Sequence, residues 1–191
     1  AERAHQLKDF DSPELARQAE AAQKRALDLF DVKGTESQSK IRHEMGQSMQ
    51  EGVGIYREEE SMQKTIDTLK DLQKRLVNVG ITDRGRVFNT EWMNRIELGY
   101  TLDVAQCMVH SAINRKESRG SHQRLDGPNG AYKQRDDVNF LKHSLAFKQD
   151  GADEPRIELS DVKITTFQPA KRVYGAEAEA AEAARKAKEA K

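Results

Sequence analysis

The segment from residue 114 to residue 143, NRKESRGSHQRLDGPNGAYKQRDDVNFLKH, combines many basic and acidic side chains over a short length. The planar fork of an arginine binds a carboxylate through two hydrogen bonds, and a histidine has an ordinary pKa near neutrality. These residue types could bind an anionic substrate and carry a proton, or they could pair with one another in a fixed network. The candidate residues for either role are Arg115, Glu117, Arg119, His122, Arg124, Asp126, Arg135, Asp136 and Asp137.

The other potentially reactive side chains give weaker signals. Cys107 is the single cysteine of the chain, which excludes an internal disulfide and a cysteine-based zinc site. No two histidines share an i, i+4 spacing with an acid, so we predict no metal site. His110 follows Val109 in an apolar stretch and is expected to be a core or interface histidine.

Helical patterns precede the charged segment and must position it. Capping residues, apolar side chains at steps of three and four, and glycine stops predict helices at residues 12–32, 35–51, 58–79 and about 90–113. Gly52 and Gly54 are expected to break the chain after the second helix, and Gly99 to bend or interrupt the fourth. The predicted core comprises Met62, Ile66, Leu69, Leu76, Trp92, Ile96, Met108 and Val109.

The pattern changes after the charged segment. Short alternating stretches at residues 144–148, 156–159 and 162–166 predict an antiparallel hairpin or a three-stranded element. The predicted fold is therefore mainly α, an up-and-down bundle of three to four helices followed by a small antiparallel β element. The predicted organisation is a bundle at 1–117, a charged loop at 118–143, a β hairpin region at 144–175, and a frayed or disordered Ala/Glu/Lys tail at 176–191.

Composition excludes some partners. The chain has 32 basic and 32 acidic residues, so there is no global electrostatic reason to expect nucleic acid or an anionic membrane as a partner. No apolar run approaches the length of a membrane span.

The charged segment also resembles a known signature. RKESRGSHQRLD followed by RDDVNFLKHSLAF is similar to the carboxyl-terminal signature of the fumarate reductase and succinate dehydrogenase flavoprotein subunits, and L-aspartate oxidases share KESRG-x-H. EMGQSMQEGVGIYR, MQKTIDTLKDLQKR, VFNTEW and IELGYTLDVAQCMVHSA resemble the same family in the same order. SDVKITTFQPAKRVYG places the resemblance closer to bacterial quinol:fumarate reductases.

The resemblance implies that the parent protein is an FAD-dependent dicarboxylate oxidoreductase. Its partners would be an iron–sulfur subunit and membrane-anchor subunits that handle quinone, and it would lie at the cytoplasmic, inner face of the plasma membrane. The family's flavin-binding and substrate-binding residues lie upstream, and no GxGxxG turn follows a strand here, since Gly52-Val53-Gly54 lacks the third glycine.

This segment is therefore expected to contain no catalytic, cofactor-binding or metal-binding residue. It is expected to bind no FAD by itself, to be inactive alone, and to buttress the upstream FAD domain and subunit contacts, with the dicarboxylate bound elsewhere. Because the family's chemistry is assigned upstream, we favour a structural network over a reactive Arg119, His122 or Arg124. The alternatives are a self-standing helical interaction or assembly module, and the C-terminal domain of an L-aspartate oxidase. Sequence upstream of Ala1 would distinguish the enzyme from the self-standing module, and the long match after Asp136 disfavours the L-aspartate oxidase.

Overall fold

The computed structural model of the chain describes residues 12–127, 132, 134–149, 151–170, 174–176, 179, 180 and 183. Two compact units can be separated, residues 1–160 and residues 161–191. The predicted tail at 176–191 lies largely outside the described residues and stays a prediction.

Four α-helices provide most of the regular structure. They are α1 (Pro13–Asp28, continued by a 3-10 turn Leu29–Asp31), α2 (Gln38–Val53), α3 (Glu59–Leu76) and α4 (Thr90–Asn114). Proline at the first position begins α1, and side-chain oxygens of Ser37 and Asn89 accept backbone N–H groups at the starts of α2 and α4. The mainly helical prediction is confirmed.

The strands are short and form two separate pairs. They are β1 (Tyr56–Arg57), β2 (Gln123–Arg124), β3 (Lys142–Phe147) and β4 (Arg156–Asp161). β1 and β2 pair in parallel, with Tyr56 opposite Gln123, whereas β3 and β4 form the small antiparallel sheet that the sequence predicts. Residues 162–166 contain no strand, so the hairpin alternative is correct and the three-stranded one is wrong.

The core lies where α2, α3 and α4 pack together. These helices run up, down and up, so the end of α2, the start of α3 and the end of α4 lie at one end of the bundle. The buried apolar side chains are Ile41, Met45, Val53, Met62, Ile66, Leu69, Leu72, Val79, Leu98, Leu102, Ala105, Val109 and Ala112. Of the core residues predicted on α3, Met62, Ile66 and Leu69 are buried, and Leu76 is partly buried against the core.

The predicted face of α4 is partly wrong. Met108 is 51% exposed, while Leu98, which was not predicted to lie on this face, is fully buried. Trp92 and Ile96 are only partly buried. The helix carries apolar side chains on two sides, so its periodicity does not select one inward face.

Two predicted glycine breaks are also corrected. α4 runs through Gly99 without interruption, because one helical glycine costs only about 1 kcal/mol and packing offsets it. α2 continues through Gly52 to Val53. A Cβ at Gly52 would overlap the Thr65 hydroxyl and lie 2.7 Å from the Ser61 carbonyl oxygen, so this glycine permits the close contact of α2 with α3.

Candidate functional site: a buried arginine–carboxylate network

The charged segment begins where α4 ends. Arg115 is the C-cap residue of α4, and its backbone is extended. Arg119 and His122 then exchange both backbone hydrogen bonds, at 2.9 and 3.1 Å, across a tight turn. Gly120 has a φ of 59° in this turn, a conformation that glycine adopts readily. The turn reverses the chain and directs β2 alongside β1.

Glu117 is the centre of the first cluster and is fully buried. Its carboxylate accepts from Arg115 Nη1 at 2.6 Å, from Arg119 Nε at 2.8 Å and Nη2 at 3.0 Å, and from the Asp136 amide at 2.7 Å. Burial opposes its ionisation, but these hydrogen bonds outweigh that effect and lower the pKa of Glu117. One carboxylate therefore ties the end of α4 to the turn and to residue 136.

Arg124 is the centre of the second cluster and is also fully buried. Its Nε and Nη2 bind Asp126 in a fork at 2.6 and 2.8 Å. Its Nη1 donates to the carbonyl oxygens of Ile113 at 3.0 Å and Arg115 at 3.2 Å, at the C-terminal end of α4. A cation at a helix C-terminus is favoured by the helix dipole.

Asp126 connects this cluster to the start of α3. Its Oδ2 accepts the backbone N–H of Glu59 at 2.6 Å, and a carboxylate is favoured at a helix N-terminus. The hydrogen bond from Arg124 lowers the pKa of Asp126, and the Glu59 amide contributes. The Arg124–Asp126 pair therefore crosslinks the end of α4 and the start of α3 with charges that suit both helix ends.

His122 lies between the two clusters and is 9% exposed. Its Nε2 lies 3.0 Å from the Arg115 carbonyl oxygen, which can only accept, so Nε2 carries the proton. Its Nδ1 is then the acceptor for Arg57 Nη1, at 2.7 Å. Burial lowers the pKa of His122, and the charge of Arg57 lowers it further. The neutral ring is therefore a fixed link and not a charged group.

The remaining predicted residues complete the network. Asp137 binds Arg119 and Arg135, each at 2.7 Å. Asp136 accepts from the backbone amide of Asn139 at 2.9 Å and from its side-chain nitrogen at 2.8 Å, closing a turn. The structure thus brings all of the predicted residues into linked clusters.

Sequence reasoning missed two members of the site. Arg57 and Glu59 contact the network from the β1–α3 connection, and Arg57 is 65 positions away from His122 in the chain. No local spacing signals a pairing over such a distance. The contact between Arg57 and His122 results from the parallel pairing of β1 with β2. In this pairing the backbone N–H of Gln123 donates to Ile55 and that of Leu125 donates to Arg57.

The connection between β1 and α3 does not suit the diphosphate of a dinucleotide cofactor. The turn from β1 into α3 contains no glycine and carries Glu58, Glu59 and Glu60, whose charges oppose a diphosphate. The N–H of Glu59 is already bound by Asp126. Within the described part of the chain, no group of three or more metal-ligating side chains is placed to hold an ion. A cleft of about 900 Å³ lies at the opposite end of the bundle, between residues 32–39 and the start of α4.

Comparison with known proteins places the chain in a family context. Residues 42–174 match the family model described as fumarate reductase flavoprotein C-term. The fumarate reductase flavoprotein subunit of Serratia sp. (strain ATCC 39006) is 60% identical over 88% of this chain and 27% of its own length. That of Haemophilus influenzae is 53% identical over 99% of this chain and 31% of its own length. The chain thus spans less than a third of these relatives.

A solved structure has the same fold. The flavoprotein chain of an Escherichia coli quinol fumarate reductase is 53% identical, with a TM-score of 0.83 over 91% of this chain and 29% of that one. None of the helices in the described ranges has the length and apolarity that crossing a membrane requires.

Proposed function

Because the chain belongs to the fumarate reductase flavoprotein C-terminal family, we propose that it is the C-terminal part of the FAD subunit of a fumarate reductase or succinate dehydrogenase. The parent would interconvert fumarate and succinate and exchange electrons with quinone through iron–sulfur clusters. The observation that carries this proposal is the match of residues 42–174 to the family model, together with 60% and 53% identity over 169 and 190 residues to flavoprotein subunits more than three times as long.

The role proposed for this segment is to buttress the flavin domain and the subunit contacts. Its arginine forks are already occupied: Arg119 binds Glu117 and Asp137, and Arg124 binds Asp126. A guanidinium that is saturated by internal carboxylates has little capacity left for a substrate. The network is therefore proposed to stabilise the end of the bundle where α4 ends and α3 begins. No catalytic residue is proposed in this segment.

The cofactor and the partners of the parent are proposed accordingly. FAD and the dicarboxylate would bind to the upstream part, since the acidic start of α3 disfavours a diphosphate. An iron–sulfur subunit and membrane-anchor subunits would complete the complex, because the E. coli relative is part of a quinol fumarate reductase. The subunit would then lie peripherally on the cytoplasmic face of the membrane.

Replacement of Arg119 by Ala in the longer flavoprotein tests the structural role. The variant should lose thermal stability or flavin retention, and dicarboxylate turnover should fall only in proportion to the flavin lost. Arg42→Ala, at an exposed position of α2, is the control and should leave both unchanged. A folded, fully flavin-loaded Arg119→Ala enzyme whose turnover is reduced by orders of magnitude would place Arg119 in the active site.

The parent assignment has its own test. The reading frame upstream of Ala1 should encode a strand, a glycine-rich turn and a helix that bind a dinucleotide. The present chain, purified alone, should be colourless after gel filtration. A stoichiometric flavin absorbance would contradict the proposal that FAD binds upstream.

A further inference from the structure

A cleft of about 410 Å³ opens beside the network, between the end of α2, the last turns of α4 and the start of β3. Its lining includes a set of nitrogen-bearing side chains: Arg57, Arg115, His122, Lys142 and His143. Among the described residues that line it, none is acidic. The cleft is thus basic on one side, in a chain whose overall charge is balanced.

Arg57 differs from the other arginines of this region. Arg115, Arg119 and Arg124 each have a carboxylate within 2.6–2.8 Å. Arg57 is partly buried, yet its Nε donates to the Gly54 carbonyl oxygen at 2.7 Å and its Nη1 to His122 at 2.7 Å, both uncharged. Within the described residues no acid forms an ion pair with it. A charge that is partly removed from water without a counter-ion is unfavourable.

The geometry leaves one edge of this guanidinium available. Nε and Nη1 are engaged, so Nη2 can bind a further acceptor. His122 cannot supply negative charge, because its Nε2 proton is committed to the Arg115 carbonyl oxygen at 3.0 Å. The bond from Arg57 to Nδ1 also fixes the plane of the guanidinium. A charged N–H donor in a fixed position is prepared for an oxygen of an anion.

The other walls select the kind of anion. Val53 and Met108 add apolar surface to the cleft. α2 and α4 both end here, at Val53 and Asn114, and the partial negative charge of helix C-termini opposes a doubly charged ligand more strongly than a singly charged one. A monovalent carboxylate with an apolar body satisfies these conditions better than phosphate does.

We propose that this cleft is an anion site that binds a carboxylate group, with Arg57 as its principal donor and with Val53 and Met108 contacting the apolar part of the ligand. The site adjoins the network, with which it shares Arg57, Arg115 and His122, and it does not depend on the function proposed for the parent. The carboxylate can come from a free organic acid or from an acidic side chain of a neighbouring polypeptide.

The test is a titration of the 191-residue chain with ligand at constant ionic strength. Binding is monitored through the ring ¹⁵N chemical shifts of His122. Three probes are compared: propionate, inorganic phosphate, and the blocked peptide acetyl-Gly-Glu-Gly-amide. Propionate should cause a saturable shift and should bind more tightly than phosphate. Absence of a saturable shift, or tighter binding of phosphate, would overturn the proposal.

Two variants of matched chemistry identify the donor. Arg57→Gln should weaken propionate binding by about tenfold or more, as expected for loss of a charge-assisted hydrogen bond. Arg42→Gln removes an exposed arginine of α2 and should leave the affinity unchanged. Equal affinities in the two variants would overturn the assignment of Arg57. If Arg57→Gln does not fold, the relative affinities of propionate and phosphate for the unaltered chain still test the proposed carboxylate site.

The peptide distinguishes the two sources of the carboxylate. Binding of the peptide at least about tenfold tighter than propionate supports a protein-borne side chain, because contacts outside the carboxylate then contribute. Equal or weaker binding of the peptide supports a free organic acid. Both results retain the carboxylate site, whereas failure of both probes to bind removes it.

Discussion

Replacement of Glu117 by Gln should be among the more damaging single changes in the charged segment. The change keeps the shape of the side chain but removes the charge that faces Arg115 and Arg119, whose side chains are 15% and 29% exposed. It also places an NH₂ group where the carboxylate accepts from several donors. Loss of one partner of a buried ion pair typically costs about 3–5 kcal/mol.

The lower end of that range applies here. Arg119 keeps Asp137 at 2.7 Å and is partly solvated, so its charge is not left fully unpaired. We therefore expect Glu117→Gln to reduce the free energy of unfolding by about 3 kcal/mol. For a chain of this size, that corresponds to a decrease in Tm of roughly 6–12 °C.

Thermal and urea unfolding, followed by far-ultraviolet circular dichroism, measure the effect. The urea m-value should be unchanged, so that the shift reports stability and not a change in the unfolded state. The matched control is Glu60→Gln, because Glu60 pairs with Lys64 on the surface of α3 and their side chains are 81% and 74% exposed. Its Tm should not change measurably. Equal Tm changes in the two variants would show that Glu117 does not organise the network.

Three further predictions concern the core, the helix contact and pH. Leu69→Ala should cost about 2–5 kcal/mol in a thermal melt, since Leu69 is fully buried, whereas Met108→Ala, at a 51% exposed position, should cost far less; equal losses would refute the assigned face. Gly52→Ala should destabilise by about 1–3 kcal/mol because its Cβ has no space, and Gly46→Ala, where nothing lies within 4 Å, should stabilise by about 0.5–1 kcal/mol. Asp126 has a lowered pKa, so its stabilising contribution is complete above its unfolded pKa of about 3.9 and is lost as the pH falls through the folded pKa. The free energy of unfolding, measured as a function of pH, should therefore decrease less steeply at acid pH in Asp126→Asn than in the unaltered chain. The same acid dependence in both would contradict the pairing of Asp126 with Arg124.

The helices show how far local sequence determines this fold. The α3 stripe from Met62 to Leu72 has polar residues on its opposite side, so only one face can be buried, and both its existence and its phase follow from the sequence. α4 does not have this property. Its apolar residues occupy two faces, and packing against α2 and α3 decided that Leu98 and Leu102 point inward and Met108 outward.

The site divides in the same way. The composition of residues 114–143 identified the members of the network, because forks and carboxylates at such density pair with one another. It did not determine the pairs. Glu117 binds the end of α4, the following turn and the amide of Asp136 together. It can do so only because α4 ends at Asn114 and a positive φ at Gly120 reverses the chain.

Two members of the network, Arg57 and Glu59, lie far from the charged segment in the sequence, and only the tertiary structure identifies them. Arg57 reaches His122, and the Glu59 amide reaches Asp126, because the bundle brings the end of α4 beside the start of α3. The sequence by itself determined the helical class, the α3 core face and the list of charged residues, since these follow from local periodicity and residue chemistry. Only the packed structure decided which charges are buried, which are paired and which guanidinium retains a free edge, because burial and pairing depend on neighbours that are remote in the chain.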